Sequence, residues 1–298
     1  MGEPFTKPNG LYEVKIKHAG SIVTLDSVEG DWDYTGVGTR MRVYQGATMN
    51  IVDGGDLRGF GWIRIGEQTG NPGQVGFLNQ SGGRIFLRNL KEGGKLGIGD
   101  GYGIAPGSTY TMSGGTLTYD RDDPVCDGQL ILGSRDGKGT FIIIGDAPVI
   151  HMKNLYIAGD NSGGNPYNYG TGTLEFVVGA TGVSPIILDS TAYIDQGTDT
   201  LANLIITLMA PPPISEDILL IDAVNTIQGT FDTLNGGSAA EGASVILDYG
   251  ADKYAYALTY AGGSDNNDLV LIWIPEPAAF VLLALGSLLP VSKKRSKF

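Results

Sequence analysis

The chain has 298 residues, of which 47 are glycine and one is cysteine, and its formal net charge is −12. Glycine runs at roughly twice its usual share of ~7%, and a hydrophobic content of 42% is too high for a disordered chain. One cysteine excludes an intrachain disulfide. Two histidines with no Cys/His cluster leave no framework for zinc or c-type haem, and the acidity argues against nucleic acid as a partner.

The first twenty residues, MGEPFTKPNGLYEVKIKHAG, hold no apolar run of the kind a secretory leader carries. Beyond them the chain repeats itself. Four segments pair apolar residues with a closing glycine: Ile63-Arg64-Ile65-Gly66, Leu96-Gly97-Ile98-Gly99, Leu130-Ile131-Leu132-Gly133 and Tyr156-Ile157-Ala158-Gly159. The closing glycines lie 33, 34 and 26 residues apart. Each segment leads through a Gly/Asn/Asp-rich turn into a second run, beginning at Gly73, Gly107, Gly139 and Gly172; a partial copy begins at Gly46.

Within a copy the period is 2. Apolar residues alternate with threonine in Thr109-Tyr110-Thr111-Met112 and Thr116-Leu117-Thr118-Tyr119, the pattern of a half-buried strand. Gly54-Gly55, Gly82-Gly83 and Gly114-Gly115 occupy the corner between two such strands, where positive φ is required. A coil of short strands cannot bury its inward face alone, and stacking coils at ~4.7 Å solves this. The expected fold is all-β: a parallel β-helix or solenoid over residues 1–210, with a β-sandwich or jelly roll as the alternative. The repeats resemble those of autotransporter-type passenger domains, in which Gly-Gly-Thr-Leu/Phe units recur. That resemblance implies a right-handed parallel β-helix.

Candidate chemistry along this body is sparse. Asp120-Arg121-Asp122-Asp123 is the densest charge cluster, and adjacent carboxylates can serve glycoside hydrolysis. Here it precedes Pro124 and reads as a solvated loop, while Cys126 reads as a buried thiol. Tyr167 and Tyr169 lie in the Gly- and Asn-rich insertion 163–170, where tyrosine suits sugar stacking and a projecting loop suits binding. They are the candidate glycan contacts.

Pro211-Pro212-Pro213 cannot sit in a central strand and marks a boundary. Residues 211–274 are expected to form the C-terminal β cap, since an exposed solenoid end needs cover. Gly229-Thr230-Phe231 followed by Gly262 to Val270 is similar to the closing segment of the same passenger family. The run from Gly262 to Asp268 reads as a turn and lacks the repeated spacing of calcium-binding β-rolls.

Residues 275–298 differ from all that precedes them. Pro275-Glu276-Pro277 leads into an apolar run from Ala278 to Val291 that includes Phe280, Leu283, Leu285 and Leu289. The cations Lys293, Lys294, Arg295 and Lys297 follow. A helix of that length reaches ~21 Å, short of a ~30 Å hydrocarbon core, but Lys and Arg snorkel and extend the span. The basic flank belongs on the cytoplasmic side, leaving residues 1–274 across the membrane. This order of parts closely resembles the PEP-CTERM sorting signal of bacterial exported proteins. The resemblance implies recognition by an exosortase-type processing enzyme, removal of the helix near Pro-Glu-Pro, and a surface or extracellular-matrix location. Proteins of that kind carry an N-terminal leader, so the beginning of this chain departs from the pattern, as a misassigned start or a truncation would produce.

The reading expected from these features is a non-catalytic structural or adhesive surface protein, needing no cofactor or metal and having no catalytic residues. Its partners would be the processing enzyme, the membrane, and envelope or matrix polysaccharide. The alternative is a polysaccharide-active enzyme, a lyase or glycoside hydrolase, on the same scaffold.

Overall fold

The computed structural model describes residues 12–16, 22–25, 39–66, 75–88, 93–100, 107–134, 136–159, 170–195, 199–213 and 215–275. All its regular elements are strands. The chain enters through β1 (Tyr12–Ile16) and β2 (Ile22–Leu25), and then a set of strands recurs. β3 (Thr39–Val43), β4 (Ala47–Ile51) and β5 (Asp56–Phe60) form one turn. The next two turns are β6 (Trp62–Ile65) with the long β7 (Gly76–Leu87), and β8 (Lys95–Asp100) with the long β9 (Ser108–Tyr119). They are followed by β10 (Gln129–Ser134), β11 (Lys138–Ile144) and β12 (Val149–Met152), then β13 (Asn154–Ile157), β14 (Gly170–Val178) and β15 (Ile186–Leu188). β16 (Ala192–Ile194), β17 (Thr200–Leu208) and β18 (Ile218–Ala223) precede the short β19 (Ile227–Gln228) and β20 (Thr233–Leu234).

The first strand of every turn pairs in parallel with its neighbours to make an eight-stranded sheet, face I. The remaining strands belong to a sixteen-stranded sheet bent along its length. One wing, face II, contains β4, residues 76–80 of β7, residues 108–112 of β9, β11, β14, β17 and β20. The other, face III, contains β5, the second halves of β7 and β9, β12, β15 and β18. The body is therefore a parallel β-solenoid with three faces, and its parallel pairing rules out the sandwich alternative.

Alternation sends every second side chain inward, and register stacks them into ladders. Met49, Leu78, Tyr110, Phe141, Leu174, Leu204 and Leu234 form one such ladder behind face II. Tyr110 and Phe141 stack with centroids 4.7 Å apart. Val43, Ile65, Ile98, Leu132, Ile157 and Ile194 form the facing ladder behind face I, and all six are essentially without solvent exposure. One polar intrusion is Gln80, whose amide hydrogen-bonds the Tyr110 hydroxyl and the carbonyls of Gly83 and Thr116.

Glycine marks the corners because neighbouring backbone approaches there. At Gly133 (φ 61°) an added Cβ would lie 1.9 Å from the Thr171 carbonyl oxygen. The repeat register at this corner differs from the glycine spacing in the sequence. Leu132 pairs with Ile157, so Ala158 (φ 55°), not Gly159, takes the place of Gly66, Gly99 and Gly133.

β18 and β20, beyond the three prolines, still pair in parallel with β15 and β17. The pattern then changes. β21 (Gly237–Ser238) folds back on β20, and β22 (Ser244–Tyr249), β23 (Asp252–Gly262) and β24 (Asp268–Trp273) add an antiparallel meander to the edge of β18. Tyr260 ties this meander to the last turn, its hydroxyl accepting from the Phe231 N–H (2.9 Å) and donating to the Ala239 carbonyl (2.8 Å).

Candidate functional site

Face II presents an outward row at strand spacing: Thr48, Phe77, Thr109, Thr140, Thr173, Asn203 and Thr233. Beside it runs Asn50, Asn79, Thr111, Ile142, Glu175 and Ile205. At the C-terminal end the sheet steps down, because β17 has nine residues and β20 only two. The turn from β20 to β21 rises at this step, with Asn235 (φ 50°) and Gly236 (φ 76°) in left-handed conformation. The Asn235 side chain continues the ladder where the strand stops. Its Nδ2 donates to the Ile206 carbonyl (2.9 Å) and its Oδ1 accepts from the Ile206 N–H (2.7 Å).

Step and turn together border an open groove of about 450 Å³ lined by Thr173, Asn203, Ile205, Thr207, Thr233 and Asn235, with no cation among the described residues of its lining. Along its floor the Thr233 hydroxyl donates to Asn203 Oδ1 (2.8 Å) and Asn203 Nδ2 donates to Thr173 Oγ1 (3.5 Å). Burial raises the pKa of Glu175, in the neighbouring row.

A second cluster sits at the end of face III, where three successive turns bring together residues far apart in sequence. Asp189 follows β15, His151 lies in β12, Tyr119 ends β9, and Arg121 lies just beyond it. Asp189 Oδ1 takes hydrogen bonds from Arg121 Nη2 (2.9 Å) and His151 Nε2 (2.9 Å). Its Oδ2 takes the Tyr119 hydroxyl (2.6 Å) and Arg121 Nε (2.8 Å). Burial raises the Asp189 pKa, but the hydrogen bonds from Tyr119 and His151 and the charges of His151 and Arg121 outweigh it, so the carboxyl stays below its ordinary value. With four contacts on two oxygens, its acceptor capacity is spent.

The same use of carboxylates recurs along this side. Asp56 holds Arg84 on the next turn (2.6 Å) and Arg58 on its own strand. Its pKa, raised by burial, is brought below the ordinary value by the two guanidinium groups. Arg88 pairs with Asp120 (3.5 Å) and Lys95 with Asp127 (3.3 Å). These are bolts between turns; general acid–base chemistry needs a carboxyl free to exchange its proton.

Asp195 differs. Burial raises its pKa, the Thr200 hydroxyl lowers it, and the nearby charge of Asp232 raises it further. Asp232 in turn accepts the Ala202 N–H (2.6 Å), so both acids are engaged in holding the start of β17.

Of the residues singled out by sequence, Arg121 is brought into the Asp189 cluster and Asp120 into an ion pair, while Asp122 is exposed and Asp123 half-buried. Cys126 is fully buried, and burial raises its thiol pKa. The turn after Gly262 docks on the solenoid: Asp268 Oδ1 accepts the Ala223 N–H (3.0 Å) and Asn267 Nδ2 donates to the Val224 carbonyl (3.0 Å). Pro275 is half-buried just after β24. Glu276, Pro277, the apolar positions Ala278, Phe280, Leu283, Leu285 and Leu289, and Lys293, Lys294, Arg295 and Lys297 lie outside the described residues, as do Tyr167 and Tyr169. Among the described residues no helix is long and apolar enough to cross a membrane, and no group of three or more His, Cys, Asp or Glu side chains is placed to hold a metal ion.

The groove and the Asp189 cluster were not legible in advance. Asn203, Thr233 and Asn235 become neighbours of Thr173 only through register, and Asp189 lies 68 residues from Arg121. No family model matches the chain, and no curated protein or solved structure is found to be similar to it. The fold defines a capped parallel β-solenoid, a class that hosts many functions, so function has to be argued from the sites.

Proposed function

We propose that this chain is an exported, non-catalytic surface protein, structural or adhesive, sorted to the cell envelope through residues 275–298. The observation that carries this reading is the position of that segment. The chain leaves β24 at the capped end of the solenoid and passes within two residues into Pro275-Glu276-Pro277, the apolar run and the basic cluster. A membrane helix beginning at Ala278 would leave the solenoid projecting from the bilayer, with its faces open to surrounding polymers. An exosortase-type enzyme is the processing partner this arrangement implies.

Support for a non-catalytic role comes from the acids. Asp56, Asp120, Asp127 and Asp189 are held in ion pairs. The polysaccharide-active alternative rests on Asp195 and Asp232, which approach each other but hold the start of β17.

Deleting residues 276–298 in the native host tests the reading. The shortened protein is expected to be lost from the envelope and extracellular fractions and to stay in a soluble fraction of the cell. An unchanged distribution would contradict it.

A further inference from the structure

We propose that the groove at the C-terminal end of face II binds a strand of neutral polysaccharide. This deepens the adhesive reading by naming its ligand class, but the site lies on the solenoid body and stands apart from the tail.

The argument begins with hydrogen-bonding capacity. In the relay along the floor, Thr233 donates to Asn203 and Asn203 donates to Thr173. An amide carries two N–H hydrogens and a hydroxyl one. One Asn203 hydrogen and the Thr173 hydroxyl hydrogen therefore remain for a ligand, as do acceptor lone pairs on Thr233. Alternating donors and acceptors suit vicinal sugar hydroxyls. Ile205 adds an apolar surface between Asn203 and Thr207 on β17, suited to the C–H face of a pyranose ring.

Charge narrows the class. Among the described residues the lining has no lysine or arginine, and the adjacent Glu175 repels anions. A uronate- or phosphate-bearing polymer would find no counter-charge there, whereas an uncharged polymer pays no such electrostatic penalty.

Shape indicates a polymer. The volume falls within the range of small-ligand sites. Beyond the groove the hydroxyl row continues to Thr140 and Thr109, at the ~4.8 Å step of parallel strands. That step is comparable to the length of a pyranose ring, so a chain can run across the strands and meet a hydroxyl at each one.

Full-length protein in mild detergent is passed over microcrystalline cellulose, chitin and an immobilised mixed-linkage β-glucan, with alginate as the anionic contrast. Retention on at least one neutral polymer and none on alginate is expected. The triple variant Thr173→Val, Asn203→Leu, Thr233→Val should bind about tenfold more weakly, while Thr118→Val, on face III and off this row, should bind as the parent does. Hydrogen exchange on the unmodified protein needs no variant to fold: soluble oligosaccharides of whichever neutral polymer retains it should slow exchange over residues 200–208 and 231–237. The proposal is overturned by failure on every neutral polymer, by preference for alginate, by full binding in a folded triple variant, or by unchanged exchange at both segments. None of these outcomes bears on how the tail is sorted, which the deletion experiment reads separately.

Discussion

Asp189 gathers donors from two preceding turns onto a single carboxylate. Asp189→Ala would leave the Tyr119 hydroxyl and the His151 ring without their acceptor, at a cost of about 1–3 kcal/mol in urea unfolding at pH 7. Its folded pKa lies below the unfolded one. The contribution is therefore fully present above the ordinary carboxylate value and is lost as pH falls through the lowered one, so the gap between variant and parent should shrink as pH falls below the ordinary carboxylate range. Glu175, Asp195 and Asp268 run the other way: their folded values are raised, and the penalty on their ionised forms fades as pH falls toward the ordinary value. The corner residues give a second contrast. Gly133→Ala drives a Cβ into the Thr171 carbonyl and should cost about 2 kcal/mol or more. Ala158→Gly, at the equivalent left-handed position, should change the melting point little, because relief of backbone strain offsets lost burial. Glycine identity made the Gly133 corner legible in the sequence. Ala158 was hidden because residue type pointed one position further on, and only pairing of Leu132 with Ile157 corrects it.

At the scale of elements, alternation in 108–119 and the Gly-Gly corners foretold two strands meeting at a bend, and the structure joins them as one bent strand, β9. Parallel stacking followed from the repeats, since each turn offers the next an identical edge. What stayed illegible was the connectors' effect on pairing. Face I partners lie 22 residues apart between Arg40 and Trp62 but 37 apart between Leu155 and Ala192, so sequence spacing alone could not tell which side chains share a row. The groove depends on that register and on how soon β20 ends. Asn235→Ala tests the device that closes it. Losing both bonds to Ile206 and a residue tolerant of positive φ should cost about 1–3 kcal/mol. Amide exchange at Ile206 should quicken first, and unchanged exchange there would mean that the hairpin does not hold the β17 edge.

For the whole molecule, 32 acidic residues face 20 basic ones, and four of the latter lie between residues 293 and 297. The body is thus more acidic than the full chain, suited to solubility and not to nucleic acid. Arg84, Arg88, Lys95 and Arg121 serve as links between turns. At its C-terminal end the antiparallel meander covers the edge of β18 and delivers the chain to Pro275. That pairing moves the edge of the sheet from β18 to β22. Sequence was most informative about the stacking of the turns, through the repeats, and least informative about ligand, because solenoid sites assemble from residues of different turns. The most direct test of the envelope assignment is intact mass combined with cell fractionation of the protein from its native host, detected by antibody against residues 60–200. The account predicts a product in the outer-envelope or extracellular fraction whose mass ends near Pro275; a product that retains Phe298 and stays soluble in the cytoplasm would contradict it.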